Sequence, residues 1–196
     1  MISLELTRII ARINGDGHLS NRQVMYFNTC PRLIKEFKSD IKMIFGNVSM
    51  SEGIMSSKTP YVSVSSKEIV RKLCEYLPSY NSSKIFVPSE ILLADTKIVR
   101  EYIRTFYDDE GCASVRLNQK TKEWKRSCTL TSNSLIILSQ IKELLESFGI
   151  KSNEIIRTKP TSEYDKTYVL SVTGEVNLRN FATIIGFKHT HVNWQC

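Results

Sequence analysis

Apolar residues in this chain recur at spacings of three and four in several separate stretches, and alternating stretches lie between them. Leu6, Ile9, Ile10 and Ile13 make the first stripe, and the spacing predicts a helix that Gly15 and Gly17 stop. The short segments HLS and VMYFNT, joined by NRQ, predict a strand–turn–strand. Pro31 opens the next helix, where a proline is tolerated in the first turn, and its predicted stripe is Ile34, Phe37, Ile41 and Ile44. A second hairpin follows, with Lys58, Thr59 and Pro60 near its turn and YVSVS as its return strand. Ile69, Leu73, Tyr76 and Leu77 then predict a third helix that Pro78 ends.

The same order recurs in the second half. Ile98, Val99, Tyr102, Ile103, Phe106 and Tyr107 form a helix stripe, and the long hairpin ASVRLNQKTKEWKRSCTLT follows it. The next helix has its stripe at Leu138, Ile141, Leu145 and Phe148. A hairpin with Lys159 and Pro160 at its turn returns through TYVLSV, and a last helix runs from about Val176 to Ile185. Each half reads αββαββα, so the fold class is α+β with an internal duplication. The expected boundaries are 1–78 for the first repeat, 79–93 for a polar, serine-rich linker and 94–196 for the second repeat.

Composition narrows the setting. Hydrophobic residues make up 41% and charged residues 24% of the 196, as in ordinary globular domains. No apolar run approaches the roughly 20 residues needed to span a bilayer, so no membrane association is expected. MISLELTRII lacks the pattern of a secretory signal. The five cysteines form no CxxC pair, which points to reduced thiols and an intracellular setting: cytoplasm, nucleoid or organelle matrix. The net charge of +7 is shared by both halves, a pattern that suits a protein lying along a polyanion.

The candidate chemistry is an acid–glycine pair present twice. Asp16-Gly17 closes the first motif helix and Glu110-Gly111 closes its counterpart, about half a chain length away. A carboxylate at a helix C-terminus opposes the helix dipole. One such placement is usually a plain helix stop, whereas two in equivalent halves suggest a paired acidic site for cations. An EF-hand reading fails, because Gln23 and Leu117 stand where the last acid would be needed.

With IIARINGDG and IRTFYDDEG closing these helices, αββαββα order in both halves and VPSEILLADTKIVREYIRTFYDDEG as a proline-containing lead-in, the chain resembles a LAGLIDADG homing endonuclease of the monomeric, two-motif type. The resemblance implies that the repeats are related by a pseudo-twofold, with the motif helices packed side by side through small residues. Ala11, Gly15 and Thr105 fit that role, while Asp109 stands where alanine or glycine is usual. It further implies that Asp16 and Glu110 bind divalent metal, Mg²⁺ or alternatively Mn²⁺, with the backbone carbonyls of Gly15 and Asp109 as further ligands. The implied reaction is metal-dependent hydrolysis of both strands of a long DNA target. Lys84 and Lys188 lie in the regions where the family tends to place a lysine near each scissile phosphate.

The resemblance also implies a saddle-shaped antiparallel sheet in each half, its concave face in the major groove. Period-two alternation sets Ala113, Val115 and Leu117 toward the core and Ser114, Arg116, Asn118 and Lys120 on the other face. Lys125, Ser127 and Thr129 continue that polar side. His18, Ser20 and Arg22 hold corresponding positions in the first half, and Arg157 and Lys159 are candidates on the distal hairpin. Lysines on a hairpin otherwise serve to protect an edge strand. Trp124 either stacks on a base or caps the sheet. His189, His191 and Cys196 lack a fourth ligand for zinc. The expected function is a site-specific homing endonuclease. The alternative is an intron RNA maturase or a non-cleaving DNA-binding protein on the same scaffold. An intein role is not expected, given no splice-junction chemistry at Met1 and no terminal His-Asn.

Overall fold

The computed structural model describes residues 2–78, 81–158 and 167–188. Ser3 starts the first helix by accepting the Leu6 N–H, and α1 runs Leu4–Asn14. The first repeat continues with β1 (Gly17–Leu19), β2 (Val24–Phe27), α2 (Pro31–Phe45), β3 (Ser51–Ile54), β4 (Pro60–Val64) and α3 (Lys67–Cys74). A single turn, α4 (Ser89–Leu92), leads to the second repeat. That repeat is α5 (Thr96–Glu110), β5 (Gly111–Leu117), β6 (Trp124–Ser132), α6 (Leu135–Ser147), β7 (Ile156–Arg157), β8 (Tyr168–Thr173) and α7 (Glu175–Ile184). Asp95 caps α5 by accepting from Lys97 and Ile98.

Each repeat builds one four-stranded antiparallel sheet with the same strand order, β1-β2-β4-β3 and β5-β6-β8-β7. The sequence duplication is therefore a duplication of topology. Alternation along the strands buries one face of each sheet: Leu19, Val24, Tyr26, Val62 and Val64 in the first, and Cys128, Leu130, Leu170 and Val172 in the second. The motif helices α1 and α5 pack against each other between the repeats, and their stripes are almost wholly buried.

Several expectations shift in detail. In α2 the buried positions are Leu33, Phe37, Asp40 and Ile41, whereas Ile34 and Ile44 are half-buried. The helix is rotated so that Asp40 reaches Arg8 of α1. The segment read as a polar linker carries Val87 and Ile91, both fully buried, so it is tied into the core. Val115 is 41% exposed although its neighbour Ala113 packs on the core. The β5–β6 hairpin outruns the helices beneath it.

The motif glycines are required by space and not by a positive φ. A Cβ on Gly17 would lie 2.4 Å from the Ile13 Cα, and one on Gly111 would lie 2.5 Å from the Tyr107 carbonyl oxygen. Each chain leaves its motif helix by doubling back against the last turn, and only glycine fits there in both repeats. Gly17→Ala and Gly111→Ala are each expected to destabilise the fold by about 1–3 kcal/mol, measured by urea unfolding.

Candidate metal and nucleic-acid site

The ends of α1 and α5 bring the two acids together. A Cβ on Gly15 would lie 3.0 Å from the Asp109 Cβ, 3.2 Å from its Oδ2 and 3.5 Å from the Glu110 Cγ. Gly15 thus allows the close approach expected of it, and the residue it meets is Asp109. Asp16 is half-buried and accepts a 3.0 Å hydrogen bond from Asn28 Nδ2. Burial raises the Asp16 carboxyl to about 6, against the pull of Asn28 and Arg12. Burial raises Glu110 to about 7, and the charge of Asp16 pushes the same way. A poorly solvated carboxyl group resists ionisation, and a neighbouring acid adds to that resistance.

Asp109 does not tilt outward. Its side chain is fully buried, while the residue as a whole is only half-buried, so what it exposes is main chain. Oδ1 accepts from the Tyr26 hydroxyl at 2.6 Å and from Arg12 Nη1 at 3.2 Å, with Asn28 Nδ2 at 3.5 Å. Burial drives the Asp109 carboxyl well upward against the opposing pull of Arg12 and Tyr26. Oδ2 has no hydrogen-bond partner among the described residues.

Arg12 is the other half of this contact, and sequence reasoning missed it. It lies on α1 with its guanidinium wholly buried, between Asp109, the Tyr26 hydroxyl at 2.9 Å and Glu36 Oε2 at 2.5 Å. It also sits over the Tyr26 ring, 5.2 Å from the centroid. One helical turn earlier, Arg8 makes a two-point bond to Asp40 (2.8 and 2.5 Å) and reaches Glu101 of α5 at 3.2 Å. These side chains form one ionic network across the repeat interface. An arginine at helical spacing from apolar neighbours carries no sequence signal for this role.

The two candidate lysines differ. Lys188 is drawn into the network, its ammonium paired with Glu36 and 3.7 Å from Glu101. Burial alone would raise Glu36, yet Lys188 and Arg12 outweigh it and hold the carboxyl below its usual range. Lys84 is exposed, on the segment whose Ser82 and Ile85 line a small cleft of about 50 Å³ with Gly15, Gly17 and His18. Both segments are strapped to the motif helices by equivalent residues. Asn14 donates to the Phe86 carbonyl at 3.0 Å, and Asp108 accepts from the Lys188 N–H at 3.0 Å.

Strand register sorts the candidate base readers. Ser114, Arg116, Lys125, Ser127 and Thr129 share the open face of the second sheet, and His18 is exposed on that of the first. Ser20 and Asn118 have work within the protein. The Ser20 hydroxyl accepts from Arg22 and Gln23 to close the first hairpin, and Asn118 Oδ1 accepts from Lys120 N–H at 3.0 Å. Arg22 and Lys120 are exposed at those two turns. Arg157 pairs with Tyr168, whose partner Ser132 is buried, so its register is that of the helix-covered face, while Ile156 falls on the open one. Trp124 and Arg126 also sit on the helix side, bordering a cleft of about 420 Å³ with Gly174 and Leu178 of the α7 start. Lys159, His189, His191 and Cys196 lie outside the described residues.

No three His, Cys, Asp or Glu side chains converge on a metal-sized site among the described residues. Two carboxylates with exposed main chain nearby suit Mg²⁺, which keeps several waters and takes one or two carboxylates plus substrate phosphates. Both acids have folded-state values above their ordinary ones. The stability they contribute is therefore present at low pH and lost as pH rises from about 4 through the folded values of about 6 and 7. The melting temperature of metal-free protein should fall over that window, and the fall should be shallower in Asp16→Asn/Glu110→Gln. Parallel curves for the two proteins would contradict the assignment.

Comparisons with known proteins bear on this arrangement. A model of the LAGLIDADG-like domain matches residues 97–186. The replication factor C small subunit of Methanocaldococcus jannaschii is 26% identical over 188 residues, covering 94% of this chain and 9% of that protein. The chain spans no more than about a fifth of the length of the curated relatives it matches. A crystal structure of I-DmoI in complex with DNA and manganese superimposes with a TM-score of 0.64 at 16% identity, covering 95% of this chain and 97% of that one. The homing endonuclease I-WcaI bound to its DNA recognition sequence gives 0.63 at 11% identity, covering 97% and 84%. Residues 97–186 thus match the LAGLIDADG-like domain, and the chain as a whole carries the two-repeat fold seen in the homing endonucleases I-DmoI and I-WcaI.

Proposed function

We propose that the chain is a site-specific DNA endonuclease that cuts both strands of a long duplex target and depends on a divalent metal. The observation that carries this reading is the meeting of Asp16 and Glu110 at the ends of two packed helices, each carboxyl raised by burial and Glu110 further by its neighbour. I-DmoI, which shares the fold, has been crystallised with DNA together with manganese or calcium.

Asp16 and Glu110 would hold Mg²⁺ or Mn²⁺, with the main-chain carbonyls of Gly15 and Asp109 as candidate further ligands. When bound, the metal would supply an activated water and neutralise the leaving oxygen. The protein's part is placement. Asn28 fixes the Asp16 carboxylate, and Arg12 with Tyr26 fixes Asp109 and hence the turn that presents Glu110. Partial burial keeps bulk water from solvating the acids, which would favour a bound cation over their bare charges. Lys84, exposed on the segment whose Ser82 and Ile85 line the Gly15–Gly17 cleft, would meet a phosphate. Lys188, bound by Glu36 and Glu101, is suited to positioning. The open sheet faces would bind the duplex as a single chain, one half-site per repeat, with the net charge of +7 supplying non-specific attraction.

Asp16→Asn and Glu110→Gln should each lower double-strand cleavage by on the order of a hundredfold or more. Affinity for the same duplex in Ca²⁺ should change by less than about threefold, because phosphate and base contacts lie on the sheets. Gel-resolved cleavage and equilibrium binding on a duplex taken from a selection would measure both. Undiminished cleavage in either variant would overturn the metal assignment.

A further inference from the structure

The two repeats share strand order but not reach. β1 has 3 residues and β5 has 7, so the second hairpin is four residues longer on its first strand. At about 3.3 Å per residue that is about 13 Å of additional ribbon. The extra length has no core beneath it. On the helix side Val115 is 41% exposed and Trp124 is 58% exposed. A hairpin that leaves large apolar residues uncovered is not extended for the sake of its own stability.

The open face of the same extension is basic. Arg116 and Lys125 are direct cross-strand partners on that face. Like charges placed opposite each other destabilise a sheet. Among the described residues no ion pair joins either of them to an acid. Lysines that only protect an edge strand need not be cross-strand neighbours, so edge protection does not account for the pair. A polyanion does, and the first repeat has no counterpart, because its hairpin closes at Ser20–Gln23.

We infer that the DNA recognised is lopsided: the half-site under the second repeat extends about four base pairs further than the one under the first, and Arg116 and Lys125 read that outer stretch. At about 3.4 Å of axial rise per base pair, four residues of ribbon lie along four base pairs. Arg116 is the guanine reader, since a guanidinium meets the O6 and N7 edge in a two-point contact. This rests on the nuclease reading above and gives that reading an asymmetric substrate.

Hydroxyl-radical footprinting in Ca²⁺, on a duplex selected by the intact protein from a random library, tests it. Removing residues 114–117 and 124–127 shortens both strands by an even number and preserves which side chains face out. The protected stretch should then retreat by about four base pairs at one end only. In the full-length hairpin, Arg116→Ala should weaken guanine preference about tenfold or more at that same end and leave the other end unchanged. Because this substitution sits on an exposed strand end, it keeps the inference testable even if the shortened hairpin does not fold. Retreat at neither end or at both, or loss of preference spread along the site, would overturn the inference. Failure of the intact protein to bind any duplex would refute the nuclease reading itself.

Discussion

The buried guanidinium of Arg12 is the contact on which the arrangement of the repeats depends. It leaves α1, enters the space between the repeats and meets the Asp109 carboxylate of α5, the Tyr26 hydroxyl of β2 and Glu36 of α2. A charge removed from water this completely is tolerated only where partners surround it. Those partners are also the residues that place the two acids. Asp109 precedes Glu110 in the chain, and Tyr26 lies two residues before Asn28, which holds Asp16. Position along each helix axis and separation across the interface are thus set by the same group.

Around this centre the duplication is exact in plan and unequal in detail. Both sheets have the same strand order, both motif glycines are forced by the same doubling back of the chain, and Asn14 and Asp108 strap equivalent segments. The departures fall at the buried interface, where Asp109 and Arg12 stand at the positions of Gly15 and Phe106 in the other repeat, and on surfaces. Asp16 has Asn28 as a hydrogen-bond donor, Lys188 is engaged by acids while Lys84 is exposed, and one hairpin outreaches the other.

Much of the fold was legible because helix and strand periods are local. The stripes of α1 and α5, the hairpins and the αββαββα order follow from apolar spacing and turn residues. Small errors came from tertiary context. Ile34 gave way to Leu33 because Asp40 must face Arg8, and Val115 is exposed because its hairpin runs past the helices. The acid–glycine pair was legible as a site because it repeats. The Arg12–Asp109 contact was not, because its members are far apart in the chain and neither interrupts a stripe. Asp109 was visible only as a residue out of place in its motif, and its explanation lay in the other repeat.

Arg12 and Asp109 act as one coupled unit across the repeat interface. A double-mutant cycle with Arg12→Met and Asp109→Leu, read by urea unfolding, tests it most directly. Each single substitution leaves a buried ionisable group without its partner across the repeat interface and is predicted to cost about 3–5 kcal/mol. The double variant removes both charges and is predicted to recover much of that loss, with a coupling energy above about 1 kcal/mol. Losses that simply add, with no recovery in the double variant, would contradict the claim.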